Sequence, residues 1–168
     1  MTASTTSSSQ HQESHVNFNH DEWLRRFAIL AALIGVGISL YLTYVKLSDT
    51  EVICAETSTI DCSSVQNSAY AEIAGIPITI LGLLGYGFIG VCLLLQNRIQ
   101  LLQDFGHALL FSVTLFGFIY SLFLTYVEGF ILEKWCLWCV ASALTMTSLF
   151  IASSARLVYA MQSIDEEA

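Results

Sequence analysis

The sequence predicts an all-α membrane protein, a bundle of four transmembrane helices with a short amphipathic helix in the first extracytoplasmic loop. Composition is the first observation, since 55% of the residues are hydrophobic and 12% are charged, whereas soluble domains average about 45–50% and about 25%. The second observation is the spacing of the charges, and the third is a set of cysteines near the predicted helix ends. Together they favour a membrane-embedded chain over a soluble domain.

Four long stretches contain no Asp, Glu, Lys or Arg. They are residues 27–45, 73–97, 105–127 and 135–155. Each is 19 to 25 residues long, and a helix of about 17–25 apolar residues crosses the hydrocarbon core of a bilayer. The first stretch differs from a cleaved signal peptide, because it lies behind a polar segment, lacks a small-residue cleavage site and exceeds the usual apolar length. The sequence therefore predicts four spans.

Polar sequence flanks the predicted spans at both ends. The N-terminal segment is rich in Ser, Thr, His and Asn and has no apolar period, so it cannot offset the entropy cost of folding. Its histidines are interpreted as solvated residues rather than metal ligands. We predict a disordered cytoplasmic tail at residues 1–24, a transmembrane domain at 25–158 and an acidic C-terminal tail at 159–168.

The positive charges near the spans set the predicted orientation. If the helices alternate in direction, one face receives all four arginines and the other receives only Lys46 and Lys134. Cytoplasmic loops carry the excess of Lys and Arg, so both termini are predicted to be cytoplasmic, with the chain in the lipid bilayer of the cell's inner (plasma) membrane. The net charge of −8 and the lack of a basic patch argue against a nucleic-acid partner.

Four of the five cysteines fall on the predicted outer face. Cys54 and Cys62 lie in the long loop between the first two spans, and Cys136 and Cys139 open the fourth span. An extracytoplasmic face is oxidising, so these cysteines are expected to pair. Cys92 lies inside the second span, where a free cysteine usually serves as a small apolar core residue.

The motif CLWC at residues 136–139 suits a redox-active pair. Cα atoms at positions i and i+3 of a helix are about 5–6 Å apart, so a disulfide between them can open and close without refolding. Backbone N–H groups at a helix N-terminus stabilise the thiolate, which is the form that attacks a disulfide. A static disulfide in so short a loop would add little stability. Trp135 and Trp138 place the pair at the membrane interface, within reach of a lipid-soluble molecule.

The loop after the second cysteine is predicted to form the short amphipathic helix. Val65, Ala69 and Ile73 recur at a spacing of four, and Ser63 or Ser64 is a suitable N-cap. The loop pair of cysteines lies among polar residues and is expected to face water, whereas the CLWC pair lies at the membrane interface and is expected to face lipid. This difference favours an electron relay between the two pairs.

Two other interpretations are open at this point. The four cysteines could bind zinc, but the wide spacing of the loop pair and the oxidising face disfavour it, so no metal is predicted. They could instead form structural disulfides in the outer loops of a non-catalytic membrane protein. In that case the disulfides would resist mild reductant and would never exchange between the pairs.

The ordered cysteines and their neighbours resemble a known family. The matching residues are Cys54, Cys62, Ser63, Val65, Ser68, Tyr70, Gly75, Ile76, Pro77, Gly82, Cys136 and Cys139. Over about residues 27–157 the chain resembles the vitamin K epoxide reductase family, in its bacterial branch and without the fused thioredoxin-like domain. Another quinone-linked family of disulfide-generating enzymes shares four spans and four cysteines, but its CxxC pair comes early in the chain.

The resemblance implies a four-helix bundle around a quinone, with menaquinone, ubiquinone or a similar molecule as the electron acceptor. Cys136 and Cys139 would form the active-site pair, with Cys139 facing the quinone. Cys54 would exchange with a separate thioredoxin-like partner, and Cys62 would carry electrons to Cys136. Disulfides would then be made outside the membrane, and quinol would accumulate within it.

Four further side chains are candidates for the site. Ser68 and Tyr86 are candidate polar contacts for a quinone carbonyl. Glu128 and Glu133 lie near the predicted outer surface, where they could assist proton delivery to the quinone. We interpret both glutamates instead as exposed loop carboxylates.

Overall fold

Four long helices dominate the fold. The computed structural model describes residues 6–48, 50–54, 57–73, 75–96, 98 and 100–167, with backbone alone for 6–21, 100–104 and 163–167. The helices are α1 (Thr6–Leu47), α3 (Ile78–Leu95), α4 (Gln100–Tyr126) and α5 (Leu137–Glu167). Their apolar parts are long enough to cross a membrane: Glu22–Leu47, Ile78–Leu95, Phe105–Ile131 and Leu137–Gln162. The predicted all-α membrane bundle of four spans is confirmed.

Helix α1 begins further toward the N-terminus than the sequence indicates. Its helical backbone starts at Thr6, whereas we predict disorder for residues 1–24, of which 1–5 lie outside the described residues. Nucleation is the costly step of helix formation, and extension from an existing helix adds one hydrogen bond for each residue fixed. A stable span can therefore extend the helix into a polar segment. The division into tails and a central domain stays a prediction.

The loop between α1 and α3 contains the predicted short helix, but its cap and its apolar face differ from the prediction. Helix α2 (Cys62–Gln66) is capped by Asp61, whose side chain accepts a hydrogen bond from Ser64 N at 2.9 Å. The predicted caps, Ser63 and Ser64, therefore lie inside the helix. The Ser64 hydroxyl also donates to Asp61, and these two hydrogen bonds lower the pKa of the Asp61 carboxyl.

The expected apolar stripe of this loop is broken after its first member. Val65 is buried, whereas Ala69 and Ile73 are exposed. A short 3-10 helix (Ala69–Ala71) replaces the second turn, and a small antiparallel hairpin of β1 (Glu72–Ile73) and β2 (Ile76–Pro77) follows. Gly75 turns the hairpin with a φ of 81°, a conformation that a residue without a Cβ adopts readily.

Close packing of α1 against α3 centres on a glycine. Helix α1 packs against both α3 and α5, and α4 packs against α5. Gly35 of α1 lies against the ring of Tyr86, which is 2% exposed, and a Cβ at position 35 would overlap that ring. The Tyr86 hydroxyl donates to the Ser142 carbonyl oxygen at 2.7 Å. Tyr86 therefore joins α1, α3 and α5 in the middle of the bundle.

Replacing Gly35 with alanine is expected to destabilise the bundle by about 1–3 kcal/mol, the usual cost of overpacking a filled core. Gly37 is the matched control, since a Cβ there would meet nothing within 4 Å. Thermal unfolding of both variants in detergent measures the difference. Equal melting temperatures would show that the ring of Tyr86 moves aside without cost.

The end of α4 widens into a π-helical turn, Val127–Ile131. Leu132 N donates to Val127 O at 2.9 Å, across five residues. Such turns are rare and occur frequently at functional sites. The turn leaves Val127 and Glu128 buried, while Phe130 is exposed. It brings the end of α4 beside the residues that precede α5.

Candidate active site

The two cysteine pairs differ in how their sulfur atoms are bonded. Cys54 and Cys62 form a disulfide with their Cα atoms 6.2 Å apart. Cys136 and Cys139 are free thiols, as is Cys92 in the second span. In the structure, the loop pair is therefore closed as a disulfide and the pair at the start of α5 is open.

Backbone hydrogen bonds join the loop that carries Cys62 to the segment that carries Cys136. Asp61 N donates to Trp135 O at 3.1 Å, and Trp135 N donates to Thr59 O at 3.0 Å. The residues next in the chain, Cys62 and Cys136, have no exposed surface and pack in the same apolar cluster. Both pairs thus meet at one position on the bundle.

The segment before Cys54 is held between two spans. Ile53 N donates to the Tyr41 hydroxyl of α1 at 3.0 Å, and the Trp138 indole of α5 donates to Ile53 O at 3.0 Å. The rings of Tyr41 and Trp138 pack with centroids 4.7 Å apart. Cys54 itself is partly exposed, and the neighbouring Ile53 side chain is 80% exposed. The loop disulfide therefore has one fixed, buried end and one end near solvent.

Cys136 occupies the N-cap position of α5. Its Sγ accepts a hydrogen bond from Cys139 N at 3.4 Å, as an N-cap side chain does from the third helical residue. The Cys139 thiol and this N–H lower the pKa of the Cys136 thiol, although burial and the charge of Glu128 oppose them. The predicted thiolate-stabilising position of Cys136 rests on these contacts.

We expect Cys136 to ionise below the ordinary cysteine pKa of ~8.5. The thiolate is the charged form, so a lowered pKa means that more thiolate exists at any pH below the midpoint. Thiolate absorbance in the ultraviolet measures this ionisation in a Cys92→Ala protein whose loop disulfide is left intact. A Cys136→Ala change should remove the early transition. A midpoint at or above that of free cysteine would contradict the expectation.

A cavity of about 110 Å³ lies beside Cys139. All four long helices contribute to its wall, and residues 65–71 of the loop that contains α2 add further lining residues. Its polar residues include Gln66, Ser68, Thr79, Glu128, Cys139 and Ser142, and most of the remaining lining is apolar. Gln66 Nε2 also donates to Cys139 Sγ at 3.7 Å. Cys139 therefore faces the cavity, whereas Cys136 lies behind it, in the cluster that holds Cys62.

The interpretation of Glu128 as an exposed loop carboxylate is wrong. The side chain is 4% exposed and lines the cavity, and its Oε2 accepts a hydrogen bond from Cys136 N at 3.2 Å. The cause is the π-helical turn, because it extends α4 to Ile131 and carries Glu128 inside the fold. Glu133 is exposed, as predicted. The sequence did carry one signal of this burial, because Glu128 directly follows the uncharged stretch 105–127.

The two candidate quinone contacts lie in different places. Ser68 lines the cavity, and its hydroxyl donates to Val65 O at 2.8 Å. Tyr86 is not among the lining residues: its ring packs against Gly35, and its hydroxyl is hydrogen-bonded to Ser142, which does line the cavity. Thr79, which the sequence did not single out, lines the cavity, and its buried hydroxyl oxygen has no partner among the described residues.

One comparison with known proteins bears on this geometry. A sequence model of the vitamin K epoxide reductase family matches residues 26–154. The match spans all four predicted membrane helices, the loop disulfide and the CLWC motif.

Proposed function

The chain belongs to the vitamin K epoxide reductase family, and from this membership we propose a specific electron path for it. Family membership supports a membrane disulfide oxidoreductase. In the proposed path, electrons enter from a separate thioredoxin-like protein at Cys54–Cys62, pass to Cys136–Cys139 and end on a membrane quinone. The net result is a disulfide in the partner and a quinol in the bilayer.

The observation that carries the proposal is the meeting of the two pairs. The hydrogen bonds of Trp135 to Asp61 and Thr59 hold Cys62 beside Cys136. Thiol–disulfide exchange needs direct contact of an attacking thiolate with a disulfide sulfur. Two unrelated structural disulfides would have no need of this arrangement.

Entry of electrons is assigned to Cys54, the partly exposed end of the loop disulfide. A partner thiolate attacks Cys54 Sγ, and the Cys54–Cys62 bond breaks to leave a thiolate on Cys62. The second partner thiol then displaces Cys54, so the partner leaves oxidised and the loop pair is reduced. Cys62 next attacks Cys136 of an oxidised CLWC pair, and Cys54 resolves that mixed disulfide. Cys136 and Cys139 are then both thiols, and the loop disulfide is restored.

The cavity supports the quinone end of the path. A bound quinone would supply a two-electron, two-proton acceptor. The chain contributes the Cys139 thiol, an apolar wall, and the hydroxyls of Ser68 and Thr79 as donors to a carbonyl oxygen. The unpartnered hydroxyl of Thr79 fits this role, because a buried polar group without a partner is costly. Tyr86 acts indirectly, because its hydroxyl is hydrogen-bonded to Ser142 and holds that residue in the cavity wall.

The orientation follows from the same chemistry. The cysteine face belongs on the extracytoplasmic side, where disulfides persist, and the arginine excess belongs in the cytoplasm. Both termini are then cytoplasmic, and the chain lies in the plasma membrane of the cell as a multi-pass protein. Cysteine accessibility to a membrane-impermeant maleimide reports this orientation.

The proposal is tested by following quinone absorbance with purified protein, a reduced thioredoxin-like donor, and either menaquinone or ubiquinone. We expect donor-dependent formation of quinol. If the native protein reduces no quinone with any thiol donor, the chain is better described as a non-catalytic membrane protein whose outer loops hold structural disulfides.

A further inference from the structure

We propose that Glu128 is a catalytic residue, which takes the proton from the Cys139 thiol and gives it to an oxygen of a quinone bound in the same cavity. This inference rests on the proposed function and adds a proton path to its electron path. The spacing of the cysteines does not predict this proton path.

The position of the Glu128 side chain is the first support for a role in proton transfer. Its Oε2 accepts a hydrogen bond from the backbone N–H of Cys136, the other cysteine of the reduced pair, at 3.2 Å. Glu128 and Cys139 line the same cavity. A proton acceptor must lie within hydrogen-bonding reach of the proton it removes, and a proton donor must face the acceptor. Because Glu128 shares the cavity with Cys139, it is placed to act on the Cys139 proton directly or through one water, and it faces the space where the acceptor would bind.

The cost of burying this side chain is the second argument. Burial of a carboxylate is expensive unless it is paired, and within the described part of the chain Glu128 has no salt bridge to Lys, Arg or His. A neutral Gln, which has the same length, would also accept the Cys136 N–H. The acidic group is therefore better explained by proton transfer than by its structural hydrogen bond.

The other titratable groups near Glu128 are few. Cys139 of α5 and Cys136, the residue before α5, are two of them. The third is Tyr70, in the loop that contains α2. The cavity residues of α1 and α3 are uncharged, among them Ser39, Leu42, Ile78 and Thr79. Lys134 points elsewhere, since its Nζ donates to Ser58 O at 2.9 Å. Glu128 and the two thiols thus form one small proton-exchanging group.

The proposed step balances in electrons and protons. A Cys136 thiolate and a Cys139 thiol together lose two electrons as the S–S bond forms. The Cys139 proton moves to the Glu128 carboxylate and then to a quinone oxygen, so Glu128 ends as it began. The second proton of the quinol comes from solvent and replaces the one that Cys136 released on ionising. The two electrons end on the quinone.

The test compares Glu128→Gln with Glu133→Gln, a change at an exposed glutamate two residues beyond the π-helical turn. The amide of Gln can still accept the Cys136 N–H, so the fold should persist, but it cannot carry the proton. Pre-reduced protein mixed with quinone in a single turnover should oxidise about 10²- to 10⁴-fold more slowly in Glu128→Gln. Glu133→Gln should react at the native rate. Glu128→Asp keeps the acid and should recover part of the rate.

A second readout needs no quinone. A proton acceptor must be ionised at rest, and an ionised Glu128 raises the pKa of the neighbouring Cys136 thiol. Glu128→Gln should therefore shift the ionisation of Cys136 to lower pH, whereas Glu133→Gln should leave it in place. An unchanged midpoint would show that the carboxyl carries no charge and would overturn the proposal.

The outcomes separate the two proposals. If the native protein reduces quinone and Glu128→Gln does so equally fast, only the proton role fails. If the native protein reduces no quinone, the proposed function fails, and the proton role fails with it.

Discussion

Replacing Cys139 with serine is expected to reduce quinone turnover to the uncatalysed background with every thiol donor. Cys139 is the cysteine that lines the cavity, so in the proposed path its sulfur is the last that electrons reach before the quinone. A serine hydroxyl can neither form the disulfide nor give up two electrons with Cys136. Quinone absorbance during steady-state turnover, with protein and small-thiol donors in parallel, measures the loss.

The matched control for this change is Cys92→Ser. Cys92 is buried in the second span and lies away from both pairs, in the core cluster around Tyr86. We expect full turnover from this variant. Quinone reduction that survives in Cys139→Ser would place the reacting sulfur elsewhere.

Replacing Cys54 with serine is expected to abolish turnover driven by the thioredoxin-like donor but to leave turnover driven by a small dithiol. A folded donor can reach only a disulfide sulfur near solvent, and Cys54 is the partly exposed end of the loop pair. We expect a small dithiol to reach Cys139 through the cavity that it lines and to reduce the CLWC pair directly. The ratio of the two rates in one preparation measures the effect and corrects for any loss of folded protein.

Equal loss with both donors would contradict the assignment of Cys54 as the entry point. It would mean that the loop disulfide is needed for the fold rather than for exchange. Unfolding curves of Cys54→Ser in detergent would then show a matching loss of stability.

The sequence was sufficient to predict the spans but not their ends. Hydropathy and charge spacing specify which residues tolerate lipid, and four spans follow from them. The ends depend on local hydrogen bonds that composition does not encode. Asp61 caps α2 in place of Ser63 or Ser64, since Cys62, held by its disulfide, is itself the first helical residue. The π-helical turn likewise extends α4 beyond the point where the uncharged stretch ends.

The site was predictable where it depends on cysteine order and was missed where it depends on side-chain direction. Cys136 at a helix N-terminus follows from the CLWC motif and the apolar run after it. The inward direction of Glu128 needs the widened turn, and the contact of Gln66 with Cys139 needs α2 folded over the bundle. Tyr86 was named as a candidate quinone contact because it is polar in an apolar span. In the structure its ring packs against Gly35, and its hydroxyl donates to Ser142, a residue of the cavity lining.

The relay as a whole is tested most directly with the fully reduced protein. The reduced protein is separated from the reductant and mixed with excess quinone without oxygen. It should yield one quinol for each disulfide formed. Peptide mapping should then find both the Cys54–Cys62 and the Cys136–Cys139 disulfides. Formation of no quinol would contradict quinone reduction. Quinol formed with Cys136–Cys139 oxidised, while Cys54 and Cys62 stay thiols, would contradict electron transfer between the pairs.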